Sequence, residues 1–292
     1  MKEYAVESVY FGENVGWLSI FQLEYGNFND VCAVKYYNRD GISEVDNTGL
    51  RLYSGTHVGI RFVLSLPHFV KDKSICELGC GIGAFGLLVN MRGKISKIVL
   101  TDAEESTLKL CKENIALVSQ QYKCELESRN SSILCETLRR SEEEHILHEF
   151  LRDTNNGAPF DVIIGCELMY YRTNVASLVS TVCRLVDRRK GIFIHAHLFR
   201  RHGQAQEMID QFLANDWLTY EAPHASFIDK KELSDHPEWY RVRQLISGQK
   251  DTLESLKSPD WVLFSPDCDS VNSGEEEDEN CISSLFNVIN DK

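Results

Sequence analysis

No stretch of this sequence approaches the roughly 20 consecutive apolar residues that a membrane-crossing helix needs, and the opening MKEYAVESVYFGENVG carries no apolar run behind a basic start. Membrane insertion and secretion are therefore not expected. The ten cysteines include no CxxC pair and no regular spacing, which removes the signatures of a zinc site and of a disulfide framework. They read instead as small buried residues of a reducing compartment. The expected location is the cytoplasm, with the nucleus also compatible. No internal repeat is visible, so solenoids and propellers are excluded. Positive charge is scarce as well: 31 Lys and Arg face 44 Asp and Glu, a net charge of −13. That balance disfavours nucleic-acid phosphates and favours a basic protein surface as partner. The short basic patches DRRK (Asp187 to Lys190) and RRHGQ (Arg200 to Gln204) read as solvated turns.

What the sequence does have is apolar material for a core, 43% of 292 residues, and a regular alternation of elements. Three regions are expected. In residues 1–48, WLSIFQLEY and VCAVKYY flank the turn-rich GNFND, which predicts a β-hairpin extension. Residues 49–266 hold the main domain. From 267 on, the serine- and acid-rich sequence with SGEEEDEN reads as a disordered acidic tail.

Within the main domain, Val58, Phe62, Val63 and Leu66 fall at helical spacing before Pro67. SICEL is then a first strand, the glycine turn runs into a helix at AFGLLVNM, and KIVLTD is a second strand followed by the helix EESTLKLCKENIALV. A third strand is placed within KCELESR, a fourth at FDVIIGC and a fifth at GIFIHAH. Helices are expected at RRSEEEHILHEFLRD, ASLVSTVCRLV and AQEMIDQFLAN, and WYRVRQLIS and WVLFSP read as a terminal antiparallel pair. Strands alternating with helices imply a parallel sheet covered on both faces. The fold class is thus α/β: a doubly wound, mostly parallel, Rossmann-like sheet of seven strands.

The stretch ICELGCGIGAFG, Ile75 to Gly86, carries two overlapping signatures. Gly81, Gly83 and Gly86 form the G-x-G-x-x-G of a dinucleotide site. Glu77, Gly79, Gly81 and Gly83 form E-x-G-x-G-x-G. In an open α/β sheet the ligand lies beyond the carboxyl ends of the strands, which here are Glu77, Asp102 and Cys166-Glu167. A carboxylate such as Asp102 can chelate a ribose diol, which NAD and S-adenosylmethionine share. Glu77 discriminates, because it would repel a pyrophosphate and attract the amino group of a methionine moiety. S-adenosylmethionine is the expected cofactor.

CELGCGIGAFG, VLTDAEESTLKLCKENI and FDVIIGCELMYY, in this order, resemble the seven-β-strand methyltransferases, and specifically the family-16 or methyltransferase-21-like branch of protein lysine methyltransferases. The likeness covers about Gly49 to His197. In that family a threonine-glycine pair and then a tryptophan line the cofactor pocket; NTGLRLYSGTHVGI aligns with them and puts Tyr53 in the tryptophan's place. The family's D-x-x-Y after strand four is Glu167 to Tyr170 here. Its Leu-x-Trp after strand three is missing, with ESRNSSIL standing there, so the adenine contact falls on Asn130. The resemblance implies cofactor contacts by Tyr53, Glu77, Gly79, Gly81, Gly83, Asp102, Asn130 and Cys166, a monomer, and a protein substrate of the elongation-factor or chaperone class, with no nucleic acid and no membrane as partner.

Methyl transfer to lysine needs alignment and an amine that has lost its proton. Glu167 and Tyr170, three residues apart, suit that task as catalytic residues if a tight turn follows the strand: the carboxylate steers the amine and the phenol orients it. The alternative for the pair is a cap and a core tyrosine. His195 and His197 alternate on the fifth strand without a third ligand, and no metal is expected. Two rival functions stand beside the lysine reading. One is a methyltransferase for a small amine or nucleic acid, against which count the absent proline in GCELMYY and the acidic balance. The other is a non-catalytic cofactor-binding module acting through partner contacts.

Overall fold

The structure, a computed structural model, describes residues 4–11, 17–23, 48–123, 131–170, 173–199 and 203–265. The predicted acidic tail, Asn130 and VCAVKYY lie outside the described residues. An N-terminal hairpin is present, as expected, with WLSIFQL as one of its strands. β1 (Tyr4–Tyr10) pairs antiparallel with β2 (Trp17–Leu23), Tyr10 standing opposite Trp17. WLSIFQLEY thus supplies a strand whose partner lies upstream. Phe11, Leu18 and Ile20 are fully buried in the same apolar cluster as the main domain. At roughly 1.5–3 kcal/mol per buried side chain, that packing anchors the hairpin.

The main sheet runs β10-β8-β9-β7-β6-β3-β4-β5 among the described residues. Its strands are β3 (Ser74–Leu78), β4 (Lys97–Asp102), β5 (Ser132–Thr137), β6 (Val162–Cys166), β7 (Ile192–His197), β8 (Trp217–Glu221), β9 (Arg243–Gln249) and the two-residue β10 (Val262–Leu263). β5, β4, β3, β6 and β7 pair in parallel, and β9 enters antiparallel between β7 and β8. Seven full strands with this topology make the doubly wound, Rossmann-like sheet expected.

The strand paired with β4 is SILCET; KCELESR, where a third strand was expected, lies outside the described residues but for Lys123. WLTYE forms β8, which the sequence reading passed over. WYRVRQLIS and WVLFSP do supply β9 and β10, but the two flank β8 on opposite sides instead of pairing with each other.

The period-2 alternation of strand side chains divides the core into two layers. Ile75, Ile98, Leu100 and Ile164 face α1 (Ser54–Leu64), α3 (Ala84–Arg92) and α4 (Glu105–Gln121), with the short α2 (Pro67–Val70) following α1. Cys76, Val99, Ile163 and Phe193 face α5 (Glu144–Asn155), α6 (Val175–Leu185) and α7 (Gln204–Leu213). α5 and α6 are amphipathic, with Leu147 and Leu151, and Leu178 and Val182, at i,i+4 spacing on their buried faces. α8 (Lys230–Asp235) packs beside α1, with Glu232 paired to Arg61 and Leu233 in one apolar cluster with Val58, and α9 (Lys250–Leu256) packs on β8 and β9. Chain order switches between β3 and β6, and the crevice at their carboxyl ends is where such a sheet holds a ligand. Among the described residues no helix is long and apolar enough to cross a membrane.

Candidate active site

The glycine loop between β3 and α3 is held in left-handed backbone at all three positions, with φ of +62° at Gly79, +55° at Gly81 and +84° at Gly83. That conformation explains the alternating glycines, because side chains pay for it. Their surroundings differ, however. Gly79 is exposed and presents its backbone to the crevice. A Cβ on Gly81 would stand 2.8 Å from the carbonyl oxygen of Gly49, and one on Gly83 2.6 Å from Cys111 Sγ. A Cβ on Gly79 would likewise stand 2.7 Å from Leu168 Cδ2, so all three glycines let the loop pack closely, and Gly79 alone of the three is exposed. Gly49 belongs to the threonine-glycine pair, whose 3₁₀ turn (Thr48–Leu50) packs directly on the loop.

Asp102 ends β4 and ties the loop down: Oδ2 accepts from Gly81 N at 3.1 Å and Oδ1 from Glu104 N at 3.1 Å. Burial raises its pKa, against the pull of those N–H groups and of Arg140. Glu77 lies under the first turn of α3, 2% exposed, and accepts from the Gly86 backbone N–H. Its Oε2 has no hydrogen-bond partner among the described residues. A Cβ on Gly86 would collide with this carboxyl, which accounts for the last glycine of the motif.

Burial holds the Glu77 pKa well above the usual carboxylate range, and the neighbouring Asp102 adds to the shift. The folded protein therefore keeps a proton that the unfolded chain gives up. Between the ordinary carboxyl pKa and the raised one, stability falls as pH rises. Glu77→Gln removes that loss, so the melting temperature of the variant relative to the unaltered protein should climb as pH rises through the range between the ordinary carboxyl pKa and the raised one. A constant difference across that range would show that Glu77 does not titrate in it.

The third strand tip is β6. Cys166 packs its Sγ against Gly59 of α1, and burial drives its thiol pKa well up, so it is a wall rather than a nucleophile. Glu167 follows with φ +51°, a left-handed non-glycine residue at the crevice. Its carboxylate lies against the first turn of α1, where a Cβ on Gly55 would be 2.5 Å from Oε1. The positive end of α1 thus faces a carboxylate. Tyr53 stands just before α1, 37% exposed, and Tyr170 is exposed to the same extent beyond β6. Loop, acid and tyrosines all come from the carboxyl ends of β3, β4 and β6 and from the start of α1. Tyr53, Glu77, Gly79, Asp102, Cys166, Glu167 and Tyr170 stand at these strand ends or at the start of α1, whereas Gly81 and Gly83 face Gly49 and Cys111 inside the protein.

One group was missed. β5 ends at Thr137, so the residues that reach the crevice from it are Leu138, Arg139 and Arg140. Arg140 Nη1 donates to Leu168 O at 3.1 Å, and its guanidinium lies 5.8 Å from the Tyr170 ring centroid. A Cβ on Gly79 would be 3.6 Å from Nη2. The Leu-x-Trp pattern therefore has a counterpart, Leu138 and Arg140, with arginine in the aromatic place. Thr173 and Gln204 were also missed: Thr173 Oγ1 donates to Leu168 O at 2.9 Å and accepts from Tyr170 N at 3.0 Å, and Gln204 Nε2 donates to Tyr170 O at 3.1 Å.

The model of a lysine methyltransferase family matches residues 33–214 of the sequence. The chain belongs to that lysine methyltransferase family. Among curated relatives, a protein-lysine N-methyltransferase EFM3 of Chaetomium thermophilum is 28% identical over 61% of this chain and 49% of that protein. A calmodulin-lysine N-methyltransferase of Arabidopsis thaliana is 26% identical over 56% of this chain and 49% of its own length. An EEF1A lysine methyltransferase 3 of Xenopus tropicalis is 25% identical over 50% of this chain and 58% of its own. The chain spans about half the length of the curated relatives it matches. Family membership covers the glycine loop, Asp102, Glu167 and Tyr170, all within the matched residues.

Proposed function

We propose that this protein transfers a methyl group from S-adenosylmethionine to a lysine ε-amine of a protein substrate. The observation that carries the reading is the meeting of a left-handed glycine cradle, an orphaned buried Glu77 oxygen and the Glu167 carboxylate at one switch point of the sheet. Those features fit the cofactor. Asp102 suits its ribose, the exposed Gly79 backbone its approach, and the Glu77 carboxyl the positive end of its methionine moiety, whose charge would favour the ionised carboxylate there. Tyr53, Cys166 and the Leu138–Arg140 turn wall the pocket. When bound, S-adenosylmethionine supplies an electrophilic methyl on a sulfonium.

The chain's own residues then manage the acceptor. Tyr53 and Tyr170 offer flat apolar walls to the aliphatic stem of a lysine. Glu167 draws the amine in, and the Arg140 guanidinium over Tyr170 is a fixed positive charge that disfavours its ammonium form. The names of the relatives, acting on calmodulin-lysine and EEF1A lysine, support a protein over a small amine, and an elongation factor is the first substrate to assay.

Two measurements test this. Calorimetric titration should show binding of S-adenosylmethionine and none of NAD. Asp102→Ala should weaken that binding by roughly 1.5–3 kcal/mol, about 10- to 150-fold, through lost charge-assisted hydrogen bonds. Unchanged affinity would remove Asp102 from the site. Radiolabelled methyl groups should appear on lysine in protein bands of an extract. Label in a nucleic-acid or small-molecule fraction would refute the acceptor, and label nowhere would favour a binding module.

A further inference from the structure

His197 was singled out in the sequence only as a doubtful metal ligand, and among the described residues no cluster suits a metal. The structure gives it another task. It ends β7, is fully buried, and its Nδ1 accepts a hydrogen bond from the backbone N–H of Leu168 at 3.3 Å. The β6–β7 ladder stops with Cys166 opposite Ala196. Glu167 N still donates to Ala196 O at 2.8 Å, but the next N–H goes to the imidazole rather than to a backbone carbonyl. The residue between these two bonds is Glu167, at φ +51°. Left-handed backbone costs a non-glycine residue on the order of 1–2 kcal/mol and persists only where neighbours impose it. On the far side of the turn, Leu168 O is fixed by Arg140 and Thr173.

We propose that His197 is a positioning residue: as a neutral imidazole protonated on Nε2, it holds Leu168 N–H and so keeps Glu167 in the left-handed conformation that carries its carboxylate to the start of α1. The proposal rests on the reading of Glu167 as the group that steers the acceptor amine. Nδ1 can accept from an N–H only while it bears no proton. The tautomer is therefore part of the site, as in other places where a histidine's second nitrogen is set by what the first must do.

Two side chains separate this role from packing. The Oδ1 of asparagine reaches where Nδ1 sits, whereas the acceptor of glutamine reaches where Nε2 sits. His197→Asn should keep turnover within about 3-fold, and His197→Gln should lose about 10-fold or more. Cofactor affinity should stay within about 3-fold in both, since the glycine loop is untouched. A role in filling space alone would favour glutamine, the closer match in volume. Equal turnover in the two variants, or better turnover in the glutamine one, overturns the proposal. Should either variant fail to fold, nitrogen NMR of the unaltered protein decides: a neutral ring with the proton on Nε2 supports it, and a proton on Nδ1 overturns it. Glu167→Ala, measured alongside, separates the two levels. Normal turnover there removes the reading of Glu167 and this proposal with it. Lost turnover there with asparagine and glutamine alike at 197 removes this proposal only.

Discussion

Glu167→Ala should lower turnover at saturating cofactor by about 10²-fold or more, the scale of lost positioning, while cofactor affinity changes little. The backbone supports that separation. Alanine pays about the same as glutamate for the left-handed conformation at φ +51°, so the turn has no new reason to rearrange. What disappears is the carboxylate against the first turn of α1. Glu167→Gln keeps the size and contact and removes the charge; it should fall nearly as far if charge steers the amine, and much less if shape alone matters. Tyr170→Phe removes one hydroxyl and should cost less. The double variant should be non-additive, because both groups would act on one amine. A large fall in melting temperature, or lost cofactor binding with normal turnover at saturation, would make Glu167 structural.

The parts of this fold that were legible in the sequence are those buried on both faces. β3, β4, β6 and β7 are continuous apolar runs, since a central parallel strand meets a helix layer on each side. β5 lies at the sheet edge, with Ser132, Glu136 and Thr137 exposed. Its pattern, SILCET, is half polar and carries no period-2 apolar face, so it was not read as a strand. β8, WLTYE, is short and has only Trp217 and Leu218 as consecutive apolar residues, followed by threonine, tyrosine and glutamate.

The site followed the same division. Glu77, Asp102 and Glu167 were legible because they terminate legible strands. Arg140 was not, because its place depends on where β5 ends. His197, Thr173 and Gln204 have no local signal at all: each is recognised only by the backbone group it reaches across 29, 5 and 34 residues of chain. The glycine-loop side of the crevice is thus written in a motif, and the side around Tyr170 largely in tertiary contacts.

The glycine loop itself allows the second large effect to be split into its causes. Gly81→Ala places a Cβ in left-handed backbone at φ +55°, which costs about 1–2 kcal/mol, and sets it 2.8 Å from the carbonyl oxygen of Gly49. Backbone cannot rotate away as a side chain can, so the loop or the Thr48–Leu50 turn must move. Overpacking of this kind costs a further 1–3 kcal/mol or so. Moving the loop also breaks the bond from Gly81 N to Asp102 Oδ2, the link between the glycine loop and the acid at the end of β4. Gly157→Ala is the control: its φ is +75°, and a Cβ there meets nothing within 4 Å. It should destabilise by the conformational cost alone, with cofactor binding intact. Denaturant unfolding of the two variants should therefore differ by the contact cost, and calorimetry should show an affinity loss of at least about 10-fold for Gly81→Ala only. If the two variants unfold alike and bind alike, the close approach of Gly49 to the loop does not constrain the site. Position 81 would then need glycine for its backbone angle and for nothing else.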